Sequence, residues 1–168
     1  LASMLEAARW AASSYNEQPW RYIIGVKGTS AYDALFSCLN EFNQMWAKHA
    51  PALMMSVAKT YFGEDQSRTN KHAWHDTGAA SASLSLEAAR HGVMVHQMAG
   101  VHYDKAPEIL GIPDGYEPVA AFALGYAGDP AMLPEDLQAG ERAPRERRPL
   151  AETVFEGSFG TVFDLPND

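Results

Sequence analysis

Residues Pro51–Lys59 are almost wholly apolar, and they constrain the fold more than any other stretch of the chain. Leu53, Met54, Met55 and Val57 show no alternation with polar residues. A strand of this kind needs cover on both faces, so a sheet held between two layers is expected. Trp20–Val26 reads as a second strand, because Trp20, Tyr22, Ile23, Ile24 and Val26 are β-formers closed by Gly25 and Gly28. Glu117–Tyr126 reads as another strand, and Val93–His96 as a short one.

Helical periodicity fills the gaps. Leu1, Leu5, Ala8 and Ala12 form a stripe over Leu1–Ala12. Thr29 can cap a second helix running to about Ala47, with Leu35, Leu39, Phe42 and Trp46 on one side. Asp76–His91 is the clearest helix, stopped by Gly92, with Arg90 and His91 suited to the negative end of its dipole. Gly78, Ala79, Ala80, Ser81, Ala82 and Ser83 give it a small-residue face. That face suits tight packing within one chain or a subunit interface. Asp104 can cap a short helix ending at Gly111. Pro130–Pro144 reads as a loop rich in Pro, Gly and charge, and a short helical stretch follows around Leu150–Phe155. The tail after it carries Val154, Phe155, Phe159, Val162 and Phe163, and is too apolar for a solvated end. With 168 residues and no repeat, one domain over 1–168 is expected.

Composition removes several functions. A formal charge of −8 argues against binding nucleic acid or an acidic membrane surface. No apolar run approaches the length of a bilayer span. Cys38 is the single cysteine, so an internal disulfide is impossible. That fits a reducing, cytoplasmic setting, and Cys38 itself reads as a small buried apolar residue. There is no Gly-x-Ser-x-Gly elbow and no Gly-x-Gly-x-x-Gly turn. His72, His75 and Asp76 would share a helix face, but with no cysteine and no clear fourth ligand a metal is not expected.

Three segments carry chemistry. In Ala11-Ala12-Ser13-Ser14-Tyr15-Asn16-Glu17-Gln18-Pro19-Trp20 a helix ends, small polar residues follow, and proline turns the chain into a strand. Ser13, Ser14 and Asn16 thereby gather donors and acceptors at a corner that suits either a capped turn or a ligand. Arg145 and Arg147 lie in the densest positive cluster of an acidic chain, and guanidinium groups suit phosphate. Gln97, Met98, Ala99 and Gly100 follow a strand, and the small side chains of Ala99 and Gly100 would let a flat ring approach the backbone.

These segments, in this order, resemble the nitroreductase family of FMN flavoenzymes. The corner is similar to the family's Pro-Ser-x-x-Asn-x-Gln-Pro-Trp. Asp76-Thr77-Gly78-Ala79-Ala80 through Gly92 resembles its long central helix. Leu124-Gly125-Tyr126 resembles the end of its last sheet strand, and Arg145-Glu146-Arg147-Arg148-Pro149-Leu150 its basic C-terminal segment. The resemblance implies an α+β fold with a central, mostly antiparallel sheet flanked by helices, in an intertwined homodimer. It implies FMN, bound by Ser13, Ser14 and Asn16 of one subunit, by the Gln97–Gly100 backbone, by Arg145 and Arg147 at the phosphate, and by Asn43 near the pyrimidine edge of the ring.

No nucleophile, metal cage or paired carboxylate stands among the matching segments. Ping-pong transfer of hydride from NAD(P)H through the flavin to a small acceptor, such as a nitroaromatic, quinone or enone, is the expectation. Two departures stand out. The family's Arg-Ser-x-Arg segment, which precedes the first helix, is not in this sequence, and upstream residues are expected to be missing from it. Ala12 replaces the usual proline. A cofactor-free dimer acting as a binding or structural protein is the alternative. Dehalogenation or flavin fragmentation is disfavoured, because the segment between Tyr61 and His75 is short for a dedicated lid.

Overall fold

The apolar strand is the axis of the structure. In the computed structural model, which describes residues 1–164, it forms β2 (Ala52–Lys59), flanked by β1 (Trp20–Val26) on one side and β6 (Tyr116–Gly125) on the other. A fourth strand, β5 (Met94–Met98), extends the sheet beyond β6. All three strand pairs are antiparallel.

Each face of this sheet has its own core. Leu53, Met55 and Val57 of β2 point into the first, with α2 (Ser30–Ser37), α3 (Glu41–Ala47) and α5 (Ala106–Leu110). Met54 and Phe122 point into the second, with α1 (Ala2–Arg9) and α4 (Ala73–Arg90). The alternation of the strand thus feeds two apolar layers, which is why a run with no polar face is stable there. Cys38 is fully buried in the first core.

Local chemistry explains most boundaries. The Thr29 hydroxyl accepts the Tyr32 N–H and starts α2, as its position suggests. Gly25 lets this helix lie directly on β1. A Cβ there would sit 2.4 Å from the Tyr32 backbone nitrogen, so only glycine fits. The helix does not continue to Ala47. It stops at Ser37, Leu39 forms an isolated bridge with Val101, and the Asn40 side chain caps α3 by accepting the Asn43 N–H at 3.0 Å. The apolar spacing runs straight through this break, which hid it. Phe42, expected on the apolar side, is 54% exposed.

Other boundaries differ from the expectation as well. The first helix ends at Arg9 rather than Ala12, and the central helix begins at Ala73 rather than Asp76. Asp104 does not cap α5, whose N-cap is Lys105, although Gly111 ends the helix as expected. Between β2 and α4 lies an unforeseen hairpin of β3 (Tyr61–Phe62) and β4 (Arg68–Thr69). The stretch read as a loop over Pro130–Pro144 holds a 3₁₀ turn (Pro130–Met132) and α6 (Glu135–Arg142). Glu135 and Asp136 in its first turn and Arg142 in its last complement the helix dipole. Only Leu150–Glu152 of the later helical stretch is helical, as a 3₁₀ turn.

The chain divides into two compact units, Leu1–Pro134 and the segment from Glu135 onward. The first contains the sheet and both cores. Within the second, Phe155 bridges to Val162 and its ring meets that of Phe159 at 4.8 Å. Among the described residues no helix is long and apolar enough to cross a membrane.

Candidate functional site

The corner before β1 is held in an unusual backbone. Tyr15, Asn16 and Gln18 all have left-handed φ values, 54°, 55° and 51°. Asparagine tolerates this region, but a bulky tyrosine does so at a cost of order 1–3 kcal/mol. Such a shape persists only where its surroundings impose it. The Ser13 hydroxyl accepts the Gln18 N–H at 3.0 Å, and the Gln18 amide donates to the Asn16 carbonyl at 3.0 Å. The firmest anchor comes from far along the chain, where Asp76 Oδ2 accepts the Ser14 N–H at 2.8 Å.

Asp76 is 4% exposed, one turn into α4, and its other oxygen lies 3.0 Å from His75 Nδ1. Its role was not visible in the sequence, where it reads as a helix start. Replacing Asp76 with alanine is expected to cost about 1–2 kcal/mol, because the half-buried Ser14 N–H loses its acceptor. Thermal denaturation and faster hydrogen exchange at Ser14 would show it. Asp76→Asn, which keeps an acceptor oxygen, should recover most of the loss. A second tie runs through Glu17. Its Oε1 accepts the Gly63 N–H at 3.2 Å and lies 3.3 Å from Lys59 Nζ. Lys59 is nearly buried, and its hydrogen bond to Glu64 pushes the ammonium pKa up in spite of that burial.

With the loop fixed, the Ser14 hydroxyl and the Asn16 side-chain amide have no protein partner among the described residues, and Asn16 is exposed. These are polar groups presented on a stiff frame. The expected grouping of Ser13, Ser14 and Asn16 therefore exists, with Ser13 spent on holding the loop.

A second group forms at the end of β5. Asn43 is 7% exposed, and its Nδ2 donates to the Gly100 carbonyl at 3.0 Å. The Asn40 N–H donates to the same carbonyl at 3.0 Å. A Cβ on Gly100 would meet Asn43 Nδ2 at 2.4 Å and the Asn40 amide at 2.7 Å. Glycine is what lets both asparagines close on this backbone. Met98 turns its side chain into the first core, while Ala99 is exposed. The Gln97 amide reaches Ser85 Oγ of α4 at 3.1 Å. Asn43 and the Gln97–Gly100 stretch, expected separately from the sequence, are thus in contact through Gly100. One helix serves both groups, with Asp76 near its start and Ser85 further along, but no hydrogen bond joins the two groups among the described residues.

Arg145 and Arg147 belong to the second unit. Both are exposed, and Arg147 donates to the Glu146 carbonyl at 2.7 Å. Sequence reasoning missed Arg68, Lys71 and Phe62, which the hairpin and the start of α4 bring beside Tyr15. No motif flagged them, since the hairpin strands are two residues each.

The chain and its fold have counterparts among known proteins. Residues 26–126 match the model of the Nitroreductase family. An uncharacterized 15.4 kDa protein of Mycolicibacterium smegmatis is 37% identical over 147 residues, which is 83% of this chain and 97% of that protein. A crystal structure described as an oxidoreductase containing FMN is 34% identical, with a TM-score of 0.89, over 95% of this chain and 81% of that one. A nitroreductase family protein from Streptococcus pneumoniae TIGR4 is 18% identical and shares the fold, with a TM-score of 0.71 over 92% of this chain and 87% of its own. Family model and fold agree on one conclusion: the chain belongs to the nitroreductase family.

Proposed function

We propose that the protein is an FMN-dependent oxidoreductase. The observation that carries this reading is the strained corner anchored by Asp76, which offers Ser14 and Asn16 as polar groups on a fixed backbone. The likeness to an FMN-containing oxidoreductase supports it. The residues fit the cofactor. Ser14 and Asn16 supply uncommitted polar groups, and exposed Ala99 presents backbone with only a methyl group beside it. Arg145 and Arg147 suit the phosphate by their charge and their motif. Asn43 holds the Gly100 carbonyl, so its part includes shaping the stretch that would face the ring.

FMN, when bound, supplies a ring that accepts a hydride at N5 and hands electrons to an acceptor. The protein binds, orients and shields. NAD(P)H as donor and a nitroaromatic, quinone or enone as acceptor complete the proposal. The first test is the absorbance spectrum of the full-length protein with FMN, followed by anaerobic bleaching with NAD(P)H. Protein that stays colourless with excess FMN would end the enzyme reading and leave the cofactor-free one. Donor and acceptor would use one stacking surface in turn, so double-reciprocal plots should give parallel lines. Intersecting lines would refute the shared surface.

The proposed assembly is a homodimer. On α4, Trp74 is 48% and Leu86 75% exposed, with exposed Gly78 and Ala82 between them at four-residue spacing. An apolar helical stripe of this kind suits a two-fold partner, and the apolar C-terminal segment suits exchange across it. Light scattering of the full chain at micromolar concentration should give twice the chain mass, and a monomer would rule this assembly out.

A further inference from the structure

We propose that the cleft between the β3–β4 hairpin and the Ser14–Tyr15 corner selects an anionic, planar acceptor, with Arg68 as its specificity residue. The proposal rests on the flavin reading above, because Ser14 belongs both to the cofactor loop and to this cleft. The cleft has a volume of about 250 Å³. Phe62, Arg68 and Thr69 line it from the hairpin, Ser14 and Tyr15 from the corner, and Lys71 and His72 from the approach to α4.

Its lining is aromatic and cationic, with no carboxylate. The Arg68 guanidinium stands 4.0 Å from the Phe62 ring centre and 5.1 Å from that of Tyr15. The two rings meet edge to face at 5.7 Å. Stacking on a ring holds a guanidinium plane while leaving its N–H edge free to fork a carboxylate. The nearby acids are committed elsewhere. Glu17 and Glu64 pair with Lys59, Asp65 accepts the Ser67 N–H, and buried Asp76 accepts the Ser14 N–H with its other oxygen 3.0 Å from His75 Nδ1. Neither Arg68 nor Lys71 is ion-paired among the described residues. In a chain of net charge −8 this leaves a local positive site beside two aromatic rings. A flat ring bearing a carboxylate satisfies both features, whereas an uncharged ring satisfies one.

The left-handed backbone at Tyr15 has a use in this arrangement. It presents the tyrosine ring outward, 83% exposed, where it walls the cleft instead of entering a core. The Asp76–Ser14 hydrogen bond keeps that wall in place.

The test compares 4-nitrobenzoate with its neutral counterpart 4-nitrobenzamide on the full-length protein. In turnover, each two-electron reduction of a nitro to a nitroso group consumes one NAD(P)H and one proton and releases one water. The carboxylate plays no part in that chemistry, so it reports recognition alone. Wild type should show the lower KM for 4-nitrobenzoate. Arg68→Gln should raise that KM about five- to tenfold, between an exposed ion pair and a charge-assisted hydrogen bond, with 4-nitrobenzamide and kcat little changed. Arg68→Lys should fall between, keeping the charge without the fork. Equal changes for both acceptors, or a change confined to KM for NAD(P)H, would overturn the proposal. Calorimetric titration of both compounds, with and without FMN, separates the two readings. A preference for the anion that depends on Arg68 in protein taking up no FMN sustains the cleft and removes the flavin. Protein that takes up FMN and shows no such preference removes the cleft alone, and no binding of 4-nitrobenzoate in either state removes it too. The exposed hairpin position makes misfolding a minor concern, and an unchanged melting temperature verifies it.

Discussion

Arg147→Ala is expected to weaken FMN binding by about 1.5–3 kcal/mol, the scale of a hydrogen bond to a charged group. That corresponds to a rise in Kd of roughly ten- to a hundredfold. The expectation rests on chemistry. A phosphate needs cations, and the Arg145–Arg148 segment is the densest positive cluster in an acidic chain. Arg147 is exposed, and its contact to the Glu146 carbonyl is a local one that alanine gives up at little cost to stability. The substitution should therefore separate binding from folding: the melting temperature of the FMN-free protein stays put while flavin titration moves. Unchanged flavin affinity would remove Arg147 from the site. Arg147→Lys should recover part of the loss, since a point charge remains but the two-pronged geometry does not.

Phe122→Ala should be the most damaging single change to the fold, costing about 3–5 kcal/mol. Phe122 is fully buried at the middle of β6, registered with Met54 on β2 and Gln97 on β5. Its ring meets that of Tyr22 edge to face at 6.4 Å and packs in the core that α1 and α4 close. Removing the ring leaves a void between the sheet and the helix that carries Asp76. Chemical denaturation would give the loss directly. A cost below about 1 kcal/mol would mean that this layer can collapse around the void.

How far the sequence could be read depended on the range of the interaction. The strand Trp20–Val26 was legible to the residue, because β-formers and flanking glycines act locally. The double-faced burial of β2 was legible because its composition admits no alternative. The break between α2 and α3 was not legible, since Leu35 and Leu39 keep helical spacing across it while Asn40, ambiguous in sequence, acts as a cap. Helix α6 was masked by Pro130, Pro134 and Pro144, which surround it without entering it. At the site, the motif pointed to Ser13, Ser14 and Asn16, but the restraint on Ser14 comes from Asp76, on another element entirely. The cationic cleft depends on a hairpin of two-residue strands, too short to leave a periodic signal.

The strand order β1-β2-β6-β5 has a consequence for how the molecule comes together. Its central pair joins Ala52 to Leu124 and Lys59 to Tyr116, so the middle of the sheet waits on closure of the whole intervening chain. Contacts of such separation slow folding, while α4, entirely local, can form early. The corner at Ser14 acquires its strained shape only when that helix docks and Asp76 arrives. Refolding followed at Tyr15 should accordingly lag behind helix formation, making the ligand-facing corner among the last parts of the chain to become native.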